Sequence, residues 1–224
     1  MAIEVHSYRL PSTPLIPNSP YPLLHYPSLL LSLVSSPTFT SNAIFDLFAS
    51  NGWQSQWIAR YGPDIQSHYH STTHECMAVI SGHGATIRFG VSDHGSDGFP
   101  RREDGGIEIQ AKLGDVFIIP AGVSHKTFAP RPETTELVFH QPKDVADVSP
   151  QGEEKRKEFF AKVPVQGEFM MMGAYPYGGR WDFAVGGEHE GKEEEVWGVD
   201  VPGKDPILGK SEEGLRGLWT RGKK

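Results

Sequence analysis

The chain has a single cysteine, Cys76, so no disulfide can close within it, and a small secreted scaffold stapled by disulfides is excluded. That usage fits a reducing compartment, and the expected location is the cytoplasm. Long apolar runs are also missing. The most apolar early stretch, residues 23–34 (LLHYPSLLLSLV), is interrupted by His25 and Pro27. It is shorter than the roughly 20 residues a membrane-spanning helix needs, so it reads as core packing. Residues 1–14 (MAIEVHSYRLPSTP) lack a basic region leading into an apolar one and make a poor signal peptide. Positive charge is scarce: 21 Lys and Arg stand against 28 Asp and Glu, for a net charge of −7, and no Lys/Arg stripe forms. Neither a nucleic acid nor an anionic membrane surface is therefore expected as a partner. No internal repeat occurs, and no linker cleanly divides the chain.

What the sequence has in quantity is turn-forming residues. With 25 glycines and 18 prolines at 22% charged content, it favours a soluble fold of many short strands over long helices. At 224 residues it can build one good-sized core. Residues 1–52 read as an ordered arm, rich in Pro, Ser and Tyr, ending in a short helix laid on the core. Thr40 or Ser41 caps that helix, Ile44, Leu47 and Phe48 share one face, and Asn51-Gly52 stops it.

Residues 53–141 change to a period of two. Strands are expected at Gln54–Tyr61, Ile65–His70, Cys76–Ser81, Ala85–Phe89, Ile107–Ala111, Val116–Ile119, His125–Phe128 and Glu136–His140, with a long polar loop at 91–106. Residues 142–224 are expected to add a helix over Gly152–Val163, its charges facing water and Phe159 and Phe160 facing inward. Beyond it runs a Gly-rich wrap anchored by Trp181, Phe183, Trp197 and Trp219.

One stretch carries chemistry. Residues 68–75 (HYHSTTHE) place His68 and His70 on one side of an extended segment, because alternate side chains share a face. On the strand that follows, Glu75, Met77 and Val79 fall on one face and His74, Cys76 and Ala78 on the other. If Met77 and Val79 face the core, so does Glu75, and a buried carboxylate needs a partner. A cation shared with His68 and His70 would supply one. A second segment has Gly114-Asp115 as a tight turn, an apolar strand into Pro120, and Gly122 as a further turn that leads to His125.

These two segments resemble the two cupin motifs. Gly62, His68, His70, Glu75 and Gly82 fit the first at every fixed position. Gly114, Pro120, Gly122 and His125 fit the second, with Ala129 standing where that motif has asparagine. The blocks YRLPSTPLIPNSPYPLLHYP, HYHSTTHE, MMGAYPYGGRWDFAVG and DPILG are similar to those of the YjlB-like single-domain cupin family, so the resemblance spans nearly the whole chain.

The resemblance implies an all-β fold with minor helices, an RmlC-like cupin double-stranded β-helix or jelly-roll barrel with N- and C-terminal extensions. It implies a metal held by His68, His70, Glu75 and His125. Three imidazoles and one carboxylate suit a divalent first-row ion, with Fe, Mn, Ni or Co favoured over Zn because a six-coordinate ion keeps two open positions.

The expected activity is that of a metal-dependent enzyme on a small molecule. Dioxygen chemistry on a chelating enol, thiol or carboxylate is one form, and Lewis-acid isomerisation or decarboxylation another. A binding or regulatory module without turnover is the alternative, and no catalytic residue beyond the ligand set is singled out. Cupin barrel faces leave room for a homodimer. His74 is expected to hydrogen-bond beyond the ligand set or at the surface, Cys76 to pack as a small residue, and His83 to be solvated. His140 could line the pocket or sit in the core, and Trp57, Tyr69, Phe117 and Phe128 read as core.

Overall fold

A computed structural model describes residues 3–63, 65–94 and 102–220, so residues 95–101 of the polar loop lie outside the described residues. The strands are β1 (His6–Tyr8), β2 (Leu23–Tyr26), β3 (Trp53–Arg60), β4 (Glu75–Ser81), β5 (Gly84–Phe89), β6 (Ile107–Ala111), β7 (Val116–Ile119), β8 (His125–Arg131), β9 (Val138–His140) and β10 (Met170–Pro176). Five helices accompany them: α1 (Leu31–Val34), α2 (Ser41–Ser50), α3 (Pro150–Ala161), α4 (Glu193–Trp197) and α5 (Leu215–Leu218).

All strand pairings are antiparallel. A seven-stranded sheet has the order β1-β2-β7-β4-β10-β3-β9, and a three-stranded sheet the order β6-β5-β8. The chain passes from the large sheet to the small one between β4 and β5 and again between β7 and β8, and returns between β6 and β7 and between β8 and β9. The two ribbons then lie against each other, β4 on β7 and β5 on β8. This rolled double ribbon has the double-stranded β-helix arrangement of a jelly roll, the architecture expected from the sequence. The described strands form two facing sheets and do not close into one continuous barrel.

Sequence explains the layering. In β4 all seven residues are buried, as are all four in β7. Strands with no polar face must be covered on both sides. Met77, Val79 and Phe117 meet Ile87 and Phe89 of the smaller sheet. Cys76, Ala78, Ile80 and Ile118 meet Phe45 and Phe48 of α2, Phe160 of α3, and Trp219. A fully buried side chain of this size contributes about 1.5–3 kcal/mol. The expected alternation along β4 is therefore what the structure has.

Several boundaries differ from the expectation. Leu23–Tyr26 and Met170–Pro176, placed by the sequence in the arm and the wrap, are strands of the large sheet, and β10 lies in its interior between β4 and β3. Gly173 lies in that interior strand because a Cβ there would collide with the Trp57 indole. The segment Ile65–His70 forms no continuous strand. It makes two single bridges, His68 with His125 and Tyr69 with Ala184. The second helix begins at Pro150 with Ser149 as its cap, and its charges do not all face water: Arg156 is 1% exposed and donates from Nη1 to the Asp147 carbonyl.

Candidate metal centre

Two short chain crossings bring the three imidazoles together. His68 and His125 pair backbone to backbone, each N–H donating to the other's carbonyl at 3.2 and 2.8 Å. Gly122, with φ of +86°, turns the chain ahead of His125 and donates its N–H to the His70 carbonyl at 2.8 Å. The ring centroids then stand 4.4 Å apart for His68 and His125, 5.3 Å for His68 and His70, and 5.4 Å for His70 and His125. One nitrogen from each ring lies within 4.8 Å of the other two, so this group could hold a metal ion.

The rings are oriented from behind. Nδ1 of His68 faces the Gln66 carbonyl at 3.2 Å, Nδ1 of His70 the Asp182 carbonyl at 2.5 Å, and Nδ1 of His125 the Val123 carbonyl at 3.4 Å. A backbone carbonyl can only accept, so this network assigns the proton to Nδ1 in all three and leaves each Nε2 as a bare lone pair. Ties of this kind are the usual way a protein fixes the tautomer and angle of a ligating histidine.

Glu75 opens β4 at 1% exposure. Its Oε1 accepts from the Tyr175 hydroxyl at 2.5 Å, and that hydroxyl in turn accepts from Trp57 Nε1–H at 2.9 Å. Its Oε2 has no hydrogen-bond partner among the described residues, and lies 3.4 Å from His70 Nε2 and 3.2 Å from His125 Nε2. Two ligands held at about 2.1 Å from one ion stand roughly 3.0–3.4 Å apart. Glu75 is outside the mutual 4.8 Å group of the three histidines, but it faces two of them at that spacing.

The titration behaviour follows the geometry. Burial pushes the Glu75 carboxyl up, yet the adjacent His70 and His125 and the Tyr175 hydroxyl outweigh it and hold the group at about 2. Burial brings His125 down to about 4, with Glu75 pulling the other way. Burial and the two neighbouring imidazoles hold His68 well below its ordinary value. His70 is raised, because Glu75 and the Asp182 carbonyl overcome its burial. The site thus keeps a carboxylate and at least two neutral imidazoles through mildly acidic pH.

No family model matches the chain. Over 99% of its length it is 26% identical to the whole of the uncharacterized protein YjlB of Bacillus subtilis (strain 168). Among solved structures it is similar to procruciferin, an 11S globulin from Brassica napus, over 71% of this chain and 26% of that one, with 11% identity and a TM-score of 0.30. It is similar to vicilin from Corylus avellana over 71% and 29%, with 11% identity and a TM-score of 0.27. The chain spans under a third of each of those two proteins.

Other residues singled out in the sequence fall elsewhere. His74 lies behind the site, 2% exposed, in the opposite core. Its Nδ1 accepts from Ala121 N–H at 2.9 Å, its ring stands 4.8 Å from Trp219, and burial lowers it to about 4. His83 is exposed in its turn. His140, half-buried on β9, lies opposite Ile58 and outside the pocket lining. Phe117, Tyr69 and Trp57 are buried in the core as expected, Trp57 also lines the pocket, and Phe128 is only half-buried. No described helix is long and apolar enough to cross a membrane.

Sequence reading missed Tyr175, Asp182 and Phe183 as parts of the site. Residues 180–184 cross over HYHST. The Asp182 carboxylate accepts from Ser71 N–H and Oγ–H, both at 2.7 Å, and the Phe183 ring stacks on His68 at 4.1 Å and 11°. The block MMGAYPYGGRWDFAVG contains all three residues, and its Tyr-x(6)-Asp-Phe spacing was the available signal.

Proposed function

We propose that the chain is a metal-binding cupin of the YjlB-like kind in which His68, His70, His125 and Glu75 hold one divalent first-row ion, Fe, Mn, Ni or Co in preference to Zn. The reading rests above all on Glu75 Oε2, a buried carboxylate oxygen with no hydrogen-bond partner, aimed at two imidazoles whose Nδ1 atoms are already committed. A buried anion left in that state is costly, and a cation between these donors removes the cost. When bound, such an ion supplies an electrophilic and redox-capable centre for a chelating small molecule.

The chain's own residues do the rest. Tyr175 occupies Oε1, so Glu75 offers one oxygen. Asp182 and Phe183 fix the angles of His70 and His68. Trp57 and Trp181 line the pocket beside the donors. On this reading the protein is an enzyme of oxygenase or of isomerase or lyase type.

One observation favours a binding module without turnover. Apart from the four donors, the titratable side chains lining the pocket are Tyr61 and Tyr175, and the Tyr175 proton is given to Glu75. Elemental analysis of purified wild type beside His70→Ala tests the shared part of both readings. About one Fe, Mn, Ni or Co per chain, lost in the variant, is the expected result, and absence of metal from the wild type would refute it. Adding azide then separates the two readings. A changed metal spectrum means exogenous ligands reach the ion, and an unchanged one favours the closed module.

A further inference from the structure

The pocket above the donors has a volume of about 400 Å³, at the lower end of the roughly 300–1,000 Å³ typical of small-molecule sites. Its polarity is divided sharply. The four donors form the floor. The walls are Trp57, Ile65, Leu137, Phe139, Trp181 and Phe183.

The rings make a continuous surface from floor to mouth. Trp181 stands 5.8 Å from His70, Phe139 stands 6.2 Å from Trp181 at 73°, and Trp57 stands 5.6 Å from Phe139 at 32°. Two N–H groups along the wall are already used by the fold. Trp57 Nε1–H goes to Tyr175 and the Gln66 amide to His94. Of the six large hydrophobic side chains exposed among the described residues, three sit at this one mouth: Leu137 at 43%, Phe139 at 45% and Phe183 at 52%. Large apolar groups gathered in the open around one concavity are a mark of a ligand site.

We propose that this pocket takes a flat aromatic molecule bearing a single anionic head, a carboxylate or enolate, with the ring laid against the surface formed by Trp57, Phe139 and Trp181 and the head turned to the floor. The head-group half of this inference rests on the metal reading above. The wall half does not.

A polyhydroxylated ligand of the same size is disfavoured, because each hydroxyl pressed against these walls loses its water without gaining a partner. That loss is worth about tenfold in affinity per group. A saturated ring fits the volume but forfeits the edge and face contacts of aromatic pairs, worth about 3–10-fold.

The test is calorimetric titration of the metal-loaded protein with three carboxylates: 2-naphthoate, decahydro-2-naphthoate and glucuronate. Naphthoate is expected to bind tightest, the decahydro compound about 3–10-fold weaker, and glucuronate at least 100-fold weaker. Phe139→Ala, on an edge strand and away from the donors, is expected to weaken naphthoate about 3–10-fold with metal content unchanged. Glucuronate binding as tightly as naphthoate would overturn the proposal. So would a Phe139→Ala effect confined to dissociation of a dimer in sedimentation, which would assign the mouth to a second copy of the chain.

Metal content is read on the same sample. If no metal is present, the ligand-set reading fails by itself. The wall inference is then decided on the metal-free protein, where naphthoate must still outrank glucuronate.

Discussion

Among the described residues there are two buried pairings of histidine with a carboxylate, and they differ in what is left over. Asp115, 2% exposed, accepts from His25 Nε2 at 3.0 Å, from Ser28 N–H at 2.8 Å and from Lys112 N–H at 3.0 Å. Both of its oxygens are occupied, and the pair ties β2 to the turn before β7. Glu75 is as deeply buried and also has one oxygen occupied, by Tyr175, but the other has no hydrogen-bond partner and faces His70 and His125. Burial and residue type are the same in both places. Saturation of the carboxylate separates a structural pair from a candidate ligand.

The sharpest way to break that comparison is one substitution at each carboxylate. Asp115→Ala should cost about 3–5 kcal/mol in urea unfolding, since it strands a buried imidazole and two backbone N–H groups, while metal content is unchanged. Glu75→Gln should do the reverse. Metal affinity should fall by more than about 100-fold, and stability should change by less than about 1 kcal/mol. If both variants lose stability alike and neither changes metal, the distinction collapses.

Acid titration reads the group behind β4 by difference between variant and wild type, because His125 on the site side, also brought to about 4 by burial, loses stability over the same range. His74, behind the site, is lowered by burial to about 4 from its ordinary 6.5, with the Val199 and Asp200 carbonyls pulling weakly the other way. The folded state therefore binds fewer protons than the unfolded state between those values. Stability should be full above about pH 6.5 and fall toward pH 4, by on the order of 3 kcal/mol from this group. Glu75, held at about 2, adds loss in the same direction only below its unfolded value of about 4.5. Urea midpoints between pH 7 and 4.5 should fall less steeply in His74→Gln than in the wild type, and parallel lines would refute the assignment.

Smaller effects follow. Tyr175→Phe frees Glu75 Oε1 and should lower metal affinity about tenfold while the fold stays intact, as read by competition with a chelator. At the low end is Ala129, exposed and in the left-handed region with φ of +49°, at the place where the cupin motif has asparagine. Ala129→Gly should raise stability by about 1 kcal/mol, because alanine is strained there.

Much of this was legible in the sequence where period and punctuation agree. The strands Ile107–Ala111 and Val116–Ile119 have the expected limits, and β4 turns Glu75 and His74 to opposite sides as alternation requires. Strand β10 was hidden for a physical reason. Met170–Pro176 is buried on both faces, so it shows no alternation, and Gly173 and three methionines carry little strand propensity. Tyr175 was lost with it. The carbonyl ties behind the imidazoles could not be read at all, because they come from main-chain atoms of Gln66, Val123 and Asp182 whose positions depend on the finished fold.

The placement of β10 also sets an order of events. Strands β3 and β4 share no edge, because the slot between them is filled by a strand more than 85 residues further along than β4. On a ribosome, every element that carries a donor is made before the strand that carries Tyr175. Until residue 176 emerges, β3 and β4 each present an open edge to any passing chain. The candidate centre is thus completed by one of the last parts of the sheet to be synthesised, which makes expression at reduced temperature or slowed translation a lever on how much of the protein matures with that centre assembled.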